Sequence, residues 1–246
     1  MMRIDLPVLN SDSPAKFKVG DCIFGVIGKI GDYIEKLYPE ELAHVSRAVK
    51  KRQNEYAAGR HFARLALASL GYPTIAIRTG SSRQPLWPDG VIGSIGHSDE
   101  LALAVVSAKG QTLDAVGVDL EGGRASTELL QFVLTERELR RLDIRAADAE
   151  ISATLIFSAK ESVFKAINPL VNLMIGFEEV EIHLNSGSQT FRAEYIGPNK
   201  KNAIINNGLG SYTVFRDHIV CIFVLARGAA DREMVWSSIL SPPSLC

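Results

Sequence analysis

The segment Ala115-Val116-Gly117-Val118-Asp119-Leu120-Glu121 has the two-residue period of a β-strand, with Val116, Val118 and Leu120 on one face and Asp119 and Glu121 on the other. Two neighbouring carboxylates repel unless they are solvated, paired or metal-bound, and a hard divalent cation such as Mg²⁺ suits an all-oxygen donor set. Solvation at a strand end entering a loop answers the same repulsion, so the pair alone leaves both readings open.

A second cluster, Phe157-Ser158-Ala159-Lys160-Glu161-Ser162-Val163-Phe164-Lys165, lies on a strong helical pattern. Glu161 and Lys165 are four residues apart and share a helix face, where an ordinary surface pair contributes about 0.2–0.5 kcal/mol. The alternative gives them separate partners. Glu161 completes a cation site with Asp119 and Glu121, while Lys160 or Lys165 holds a phosphate.

The third piece is Arg83-Gln84-Pro85-Leu86-Trp87-Pro88 followed by Gly93-Ser94-Ile95-Gly96-His97-Ser98. Its small residues leave backbone N–H groups open to an anion, and His97 and Ser98 add side-chain donors. A strand-to-turn junction with a satisfied histidine explains the same residues structurally. Ser94 and His97 do not make a serine hydrolase, because the G-x-S-x-G elbow is absent and their spacing matches no usual triad order.

The elements that must position these clusters can be read from periodicity and punctuation. A strand is expected at Asp21–Ile27, then one long helix from Pro39, a favoured first helical residue, to Leu70, with Gly71 as its stop. Three short strands follow at Thr74–Thr79, Val91–Ile95 and Leu101–Ser107. The order then recurs: a strand at Ala115–Glu121, helical stretches at Thr127–Leu142 and Ala149–Ile167, and strands at Glu178–Leu184, Phe191–Ile196 and Ser211–Ala226. Thr135 and Glu138 fit a capping box that starts a new helix, and Asn168-Pro169 is expected to end the last one. The chain therefore reads as α+β, with two similar β-α-β-β-β halves and a cleft between them.

Composition sets the outer limits. At 246 residues, 46% hydrophobic and 22% charged, the chain is globular and large enough to bury a core without staples. Its net charge of −1 points to neither a nucleic acid nor a membrane partner. The longest apolar run, Ile219–Ala226, is too short to cross a bilayer, and Met1–Pro7 carries no apolar signal core, so a cytoplasmic location is expected. Cys22, Cys221 and Cys246 cannot all pair within the chain and lack metal-ligand spacing; they read as reduced thiols. Basic clusters at Lys50, Lys51, Arg52, Arg60 and Arg64, and at Arg137, Arg140, Arg141 and Arg145, read first as solvated helix faces.

Five motifs in order, Ala57-Ala58-Gly59-Arg60, Arg83-Gln84-Pro85-Leu86-Trp87-Pro88, Ser94-Ile95-Gly96-His97-Ser98, Gly117-Val118-Asp119-Leu120-Glu121 and Phe157–Ala166, resemble the Sfp-type phosphopantetheinyl transferases, in particular the enterobactin synthase component D branch. The resemblance spans roughly residues 55–166, with compatible strands beyond. It implies a pseudo-two-fold monomer with subdomains at residues 1–112 and 113–246 and an active site in the cleft. The implied reaction moves 4'-phosphopantetheine from coenzyme A to a serine of an apo acyl or peptidyl carrier protein, releasing adenosine 3',5'-bisphosphate. By the same resemblance Asp119, Glu121 and Glu161 hold Mg²⁺, with Mn²⁺ also admissible. Glu161 and Lys165 carry the catalysis, and Arg60, Arg83, His97, Ser98, Lys160 and Lys165 hold coenzyme A. Two departures stand out: Ile-Gly-His occupies a place where many members have Ser-His after the isoleucine, and Phe157 stands where many carry tryptophan.

Arg137, Arg140 and Arg141, with Phe132 and Leu134, offer a mixed surface for an acidic carrier. The competing readings are a metal-dependent phosphohydrolase of coenzyme A or a nucleotide, using the same carboxylates, and a catalytically silent binding module, for which a full acidic triad would be superfluous.

Overall fold

The computed structural model describes residues 4–9, 13–110, 112–123, 131–142, 149–172, 175–215 and 217–228. Alternation within the strands decides the architecture. In β4 (Leu101–Ala108), Ala102, Ala104 and Val106 pack on Phe62, Ala63 and Ala66 of helix α2 (Lys50–Ser69). Leu101, Leu103 and Val105 turn the other way, onto Val116, Val118 and Leu120 of β5 (Leu113–Gly122) and Val220, Ile222 and Val224 of β9 (His218–Ala226). The remaining face of β9, with Ile219, Cys221 and Phe223, packs on Ala159, Val163 and Ala166 of the long helix α4 (Ala149–Val171). Four layers result: helix, sheet, sheet, helix. All nine residues of β9 are buried because both faces of that strand are covered.

The first sheet has the order β1-β2-β4-β3, with β1 at Ala15–Val19, β2 at Ile23–Lys29 and β3 at Val91–His97. The second has the order β5-β9-β8-β7-β6, with β6 at Val180–Asn185, β7 at Thr190–Tyr195 and β8 at Gly208–Phe215. Every pairing between these strands is antiparallel. Two short helices, α1 (Pro39–Val45) and α3 (Glu136–Arg141), complete the elements that matter here.

The expected α+β class and its two sheet-and-helix halves hold, but neither half keeps the order β-α-β-β-β: the first has two strands before its helices and two after, and the second has five strands. β1 joins β2 in a hairpin through Gly20 at φ +56°, and the strand expected over Ser211–Ala226 is the hairpin β8–β9. The helix expected over Pro39–Leu70 is two. In one straight helix Glu41 and Arg64 would stand about 35 Å apart. Instead α1 folds back so that the fully buried Glu41 carboxylate lies 2.7 Å from Arg64 Nη1.

The same carboxylate explains why Thr74–Thr79 is not a strand. Ile77 N–H donates to Glu41 Oε1 at 2.8 Å, and Ile77 O accepts from Arg60 Nε at 2.8 Å, so side chains satisfy the backbone that a ladder would otherwise serve. Its one sheet-like contact is the Thr79–Pro85 bridge.

The capping box is present, with Glu138 N–H on Thr135 Oγ1 at 3.1 Å and Thr135 N–H on Glu138 Oε2 at 2.8 Å. The helix expected from Thr127 lies outside the described residues over 127–130. Asn168-Pro169 does not end α4: the helix runs to Val171 and stops at Asn172, which takes φ +50°. A proline so close to the end removes one N–H and leaves the preceding turns intact.

Candidate active site

Two close backbone approaches assemble the site. Between the sheets, a Cβ on Gly96 of β3 would stand 3.2 Å from Val118 O, and Val118 N–H donates to Ser94 Oγ at 3.0 Å. On the opposite face of β5, a Cβ on Gly117 would stand 1.9 Å from Ser162 O and 2.6 Å from Ala166 N. Only a glycine lets α4 settle this close, and the contact seats Glu161 and Lys165 over the acidic face of β5.

Lys165 Nζ lies 2.5 Å from Asp119 Oδ1 and 4.0 Å from Glu161 Oε2. Asp119 is buried, and its second oxygen, Oδ2, has no hydrogen-bond partner. Burial, reinforced by the charge of Asp119 and eased by Lys165, pushes the Glu121 carboxyl up to about 8. Burial also raises Glu161, against the pull of Lys165. For Lys165, burial works to lower the ammonium's pKa, but Asp119, Glu161 and Glu121 outweigh it and hold the pKa above the usual lysine range.

Three carboxylates thus share one ammonium. Among the described residues no group of three acidic, imidazole or thiol side chains forms a ready-made metal cage. The orphaned Asp119 oxygen and the strained ionisation of Glu121 nevertheless fit a divalent cation, the oxygen-seeking charge this donor set lacks.

Beside this cluster lies a cavity of about 360 Å³, walled by Arg83, Gln84, Trp87, Phe164, Lys165 and Ile175. A second cavity of about 290 Å³ adjoins it and shares Gln84, Pro85, Trp87, Lys165 and Pro169. Carbon atoms make most of the surface of both, although polar and charged side chains share the first wall with apolar ones. Arg83 is exposed at the rim, where its loop takes φ +66°.

At the end of β3, Arg52 Nη1 donates to His97 Nε2 at 2.9 Å. That bond requires a bare Nε2, so the ring proton sits on Nδ1, 3.3 Å from Ser98 O. Burial lowers the His97 pKa; Glu55 opposes this, and Arg52 adds to it. Arg52 is the site-facing residue that sequence reading left on a solvated helix face. The available signal was its place one turn before Glu55, an acidic residue buried on the same helix.

Three sequence-derived candidates do not join the cluster. Lys160 is fully buried, and its ammonium donates to Glu138 Oε2 at 2.7 Å, Val133 O at 2.7 Å and Phe177 O at 2.8 Å, which leaves it no proton for coenzyme A. Arg60 is buried, bonds Ile77 O and Thr79 Oγ1, and stacks 4.4 Å over Tyr56, so it braces the 77–79 segment. Ser98 Oγ accepts from Glu100 N–H at 3.3 Å and Leu101 N–H at 3.1 Å and shapes the β3–β4 turn.

Comparison with known proteins supports one family throughout. Residues 40–107 match the model for the 4'-phosphopantetheinyl transferase N-terminal domain, and residues 115–222 match that of the 4'-phosphopantetheinyl transferase superfamily. The chain is 41% identical over 171 residues to the 4'-phosphopantetheinyl transferase Svp of Streptomyces mobaraensis, covering 68% of this chain and 69% of Svp. It is 35% identical over 176 residues to Npt of Nocardia iowensis, covering 68% of this chain and 78% of Npt. With enterobactin synthase component D of Salmonella typhi it shares 40% identity over 138 residues, 55% of this chain and 56% of the relative. Nothing in these likenesses supports a phosphohydrolase. With both halves matched and Svp paralleled over more than two thirds of its length, the chain belongs to the 4'-phosphopantetheinyl transferases, which carry phosphopantetheine from coenzyme A to carrier proteins.

Proposed function

We propose that the pyrophosphate of coenzyme A lies over Asp119, Glu121, Glu161 and Lys165, with its pantetheine arm in the adjoining cavity and its adenosine phosphates towards Arg52, His97 and Arg83. The observation that carries this reading is the meeting of Lys165 with Asp119 and Glu161 at the edge of a largely apolar cavity. Such a cavity suits an extended arm, and the charged edge suits the group being transferred.

A carrier serine hydroxyl attacks the phosphorus that bears the arm. The P–O bond to adenosine 3',5'-bisphosphate breaks, and the serine proton passes to a base. Glu161 is that base in this reading, since its carboxylate lines the cavity beside Lys165. Lys165 stabilises the charge on the transferring phosphoryl oxygens, and the fixed seat of α4 holds it there without reorganisation. Asp119, Glu121 and Glu161 would hold Mg²⁺ or Mn²⁺, which when bound supplies charge neutralisation on the pyrophosphate.

The partner is an apo carrier protein, acyl or peptidyl. The likeness to enterobactin synthase component D favours a siderophore or nonribosomal peptide carrier over one of fatty-acid synthesis. Part of the arginine surface considered for docking is already engaged. Arg141 lies 2.7 Å and Arg137 3.6 Å from the fully buried Glu181, and Arg140 pairs with Glu136 at 3.2 Å. Leu134 is buried, whereas Phe132 is 80% exposed and available for contact. No helix among the described residues is long and apolar enough to cross a membrane.

Intact-mass spectrometry of an apo-carrier incubated with the protein, coenzyme A and Mg²⁺ tests the reading. A gain of one phosphopantetheine that disappears with a chelator or with Asp119→Ala supports it. An undiminished gain with Asp119→Ala overturns the assigned site.

A further inference from the structure

We propose that Thr79 is a positioning residue for coenzyme A: its hydroxyl, held by Tyr56 and Arg60 of α2, fixes the loop that walls the substrate cavity. This inference rests on the placement of coenzyme A given above. Ser82, Arg83, Gln84, Pro85 and Trp87 all lie in the wall of the first cavity, and all come from the stretch between Thr79 and β3. How that stretch is anchored therefore decides the shape of the wall.

Its two ends are held differently. The far end runs into the β3 ladder, and Trp87 packs on Gly93 of β3, where a Cβ would stand 2.7 Å from the indole Cε2. The near end joins no sheet among the described residues; its one bridge, Thr79–Pro85, ties the loop to itself. Within the loop, Gly80 N–H donates to Gln84 O at 2.8 Å, Arg83 N–H to Gly80 O at 3.0 Å and Leu86 N–H to Arg78 O at 2.8 Å. These bonds close a tight turn, with Arg83 in the left-handed region at φ +66°, but they do not attach it to the body of the protein.

Tyr56 and Arg60 supply that attachment. They stand one turn apart on one face of α2, and the guanidinium stacks 4.4 Å over the phenol ring. Arg60 Nη2 donates to Thr79 Oγ1 at 2.9 Å, and the Tyr56 hydroxyl lies 2.9 Å from the same oxygen. Both α2 side chains are buried, so the Thr79 hydroxyl meets two groups already fixed in place. The bond from Arg60 is charge-assisted, the stronger kind.

Without that hydroxyl the loop keeps its internal turn, but its nearest anchor moves back two residues, to Ile77 on Arg60 Nε and Glu41. Coenzyme A must then order the wall as it binds. Its apparent affinity falls by the fraction of molecules whose loop is already in place.

The test uses Thr79→Val, which keeps the shape and deletes the hydroxyl, and Thr79→Ser, which keeps the hydroxyl. Kd and KM for coenzyme A should rise about tenfold in Thr79→Val, the scale of one lost hydrogen-bonded group, with kcat and the carrier KM unchanged. Amide exchange followed by NMR on the ligand-free protein should be faster at Gly80, Arg83 and Leu86 and unchanged in β9. Thr79→Ser should restore both readouts. A merely structural role would lower the folded fraction instead: kcat would fall at unchanged KM and β9 would exchange faster, and that result would overturn the proposal. Faster loop exchange with unchanged coenzyme A affinity would also overturn it, as would Thr79→Ser behaving like Thr79→Val. Failure of the wild type to bind coenzyme A would overturn the placement itself, and the proposal with it.

Discussion

Lys165 Nζ and Asp119 Oδ1 are 2.5 Å apart although their residues are 46 positions apart and come from different layers, a helix and the strand beneath it. Lys165 is partly open to the cleft, while Asp119 is buried with one oxygen unsatisfied. The pair is therefore poised for a phosphate and a cation as well as for each other. Asp119→Asn and Lys165→Met should each lower carrier modification about 10²–10³-fold, the range found when one electrostatic contact to a transition state is lost. Thermal midpoints within a few degrees of wild type would show that the loss is chemical. Wild-type turnover in either variant would remove that residue from the reaction.

The seat of α4 gives a second expectation. Gly117→Ala puts a methyl group 1.9 Å from Ser162 O, a rigid helix carbonyl, so α4 must lift from β5. Overpacking of this kind costs about 1–3 kcal/mol and occasionally more. Because the lift also carries Lys165 away from Asp119, turnover should fall further than the stability change explains. Denaturant unfolding and carrier modification, measured on the same sample, check this; a destabilised variant with full turnover would show that the seat of α4 does not govern the site.

The acidic face makes a pH prediction whose sign can be worked out. Glu121 titrates near 8 in the folded metal-free protein, mainly because it is buried and faces Asp119, and near 4.5 when unfolded. Between those values the folded state holds the extra proton, so stability from this group is full below about 4.5 and declines as pH rises towards 8. His97 acts oppositely, since burial lowers its pKa and stability from it rises with pH through the ordinary histidine range. The clean readout is a difference. The unfolding free energy of wild type minus Glu121→Gln, without metal, should fall from pH 5 to pH 8, and a flat difference would contradict the burial argument.

These relationships were unevenly legible in the sequence. The shared face of Asp119 and Glu121 follows from a period of two on β5, and that of Glu161 and Lys165 from their four-residue spacing on α4, whereas the meeting of the two faces is implied only by the family resemblance. Lys160 was grouped with them because it is adjacent in sequence. Neighbours on a helix point about 100° apart, so the residue before Glu161 could not share its face. The split between α1 and α2, and the loss of a strand at Thr74–Thr79, both trace to the buried Glu41. Nothing local marks that carboxylate as the partner of Arg64 and Ile77, 23 and 36 residues away. β1 shows its alternation, with Phe17 and Val19 inward and Lys16 and Lys18 outward, but over only five residues.

Lys160 and Lys165 sit five residues apart on one helix and should respond to the same substitution in opposite ways. Lys160→Met leaves Glu138 fully buried beside the carbonyls of Val133 and Phe177 with its cation gone. Breaking a buried pair on one side costs about 3–5 kcal/mol, so this variant should be far less stable to denaturant. Whatever fraction remains folded should keep the wild-type KM for coenzyme A, because no Lys160 proton is free to reach it. Lys165→Met removes the partner of Asp119 at the partly open edge of the cleft, so it should cost less stability than Lys160→Met while losing kcat. Unfolding curves and steady-state kinetics on the two variants read the distinction directly. If Lys160→Met raised the KM for coenzyme A at unchanged stability, the ammonium would belong to the substrate site after all, and its three buried oxygen partners would not be its working partners.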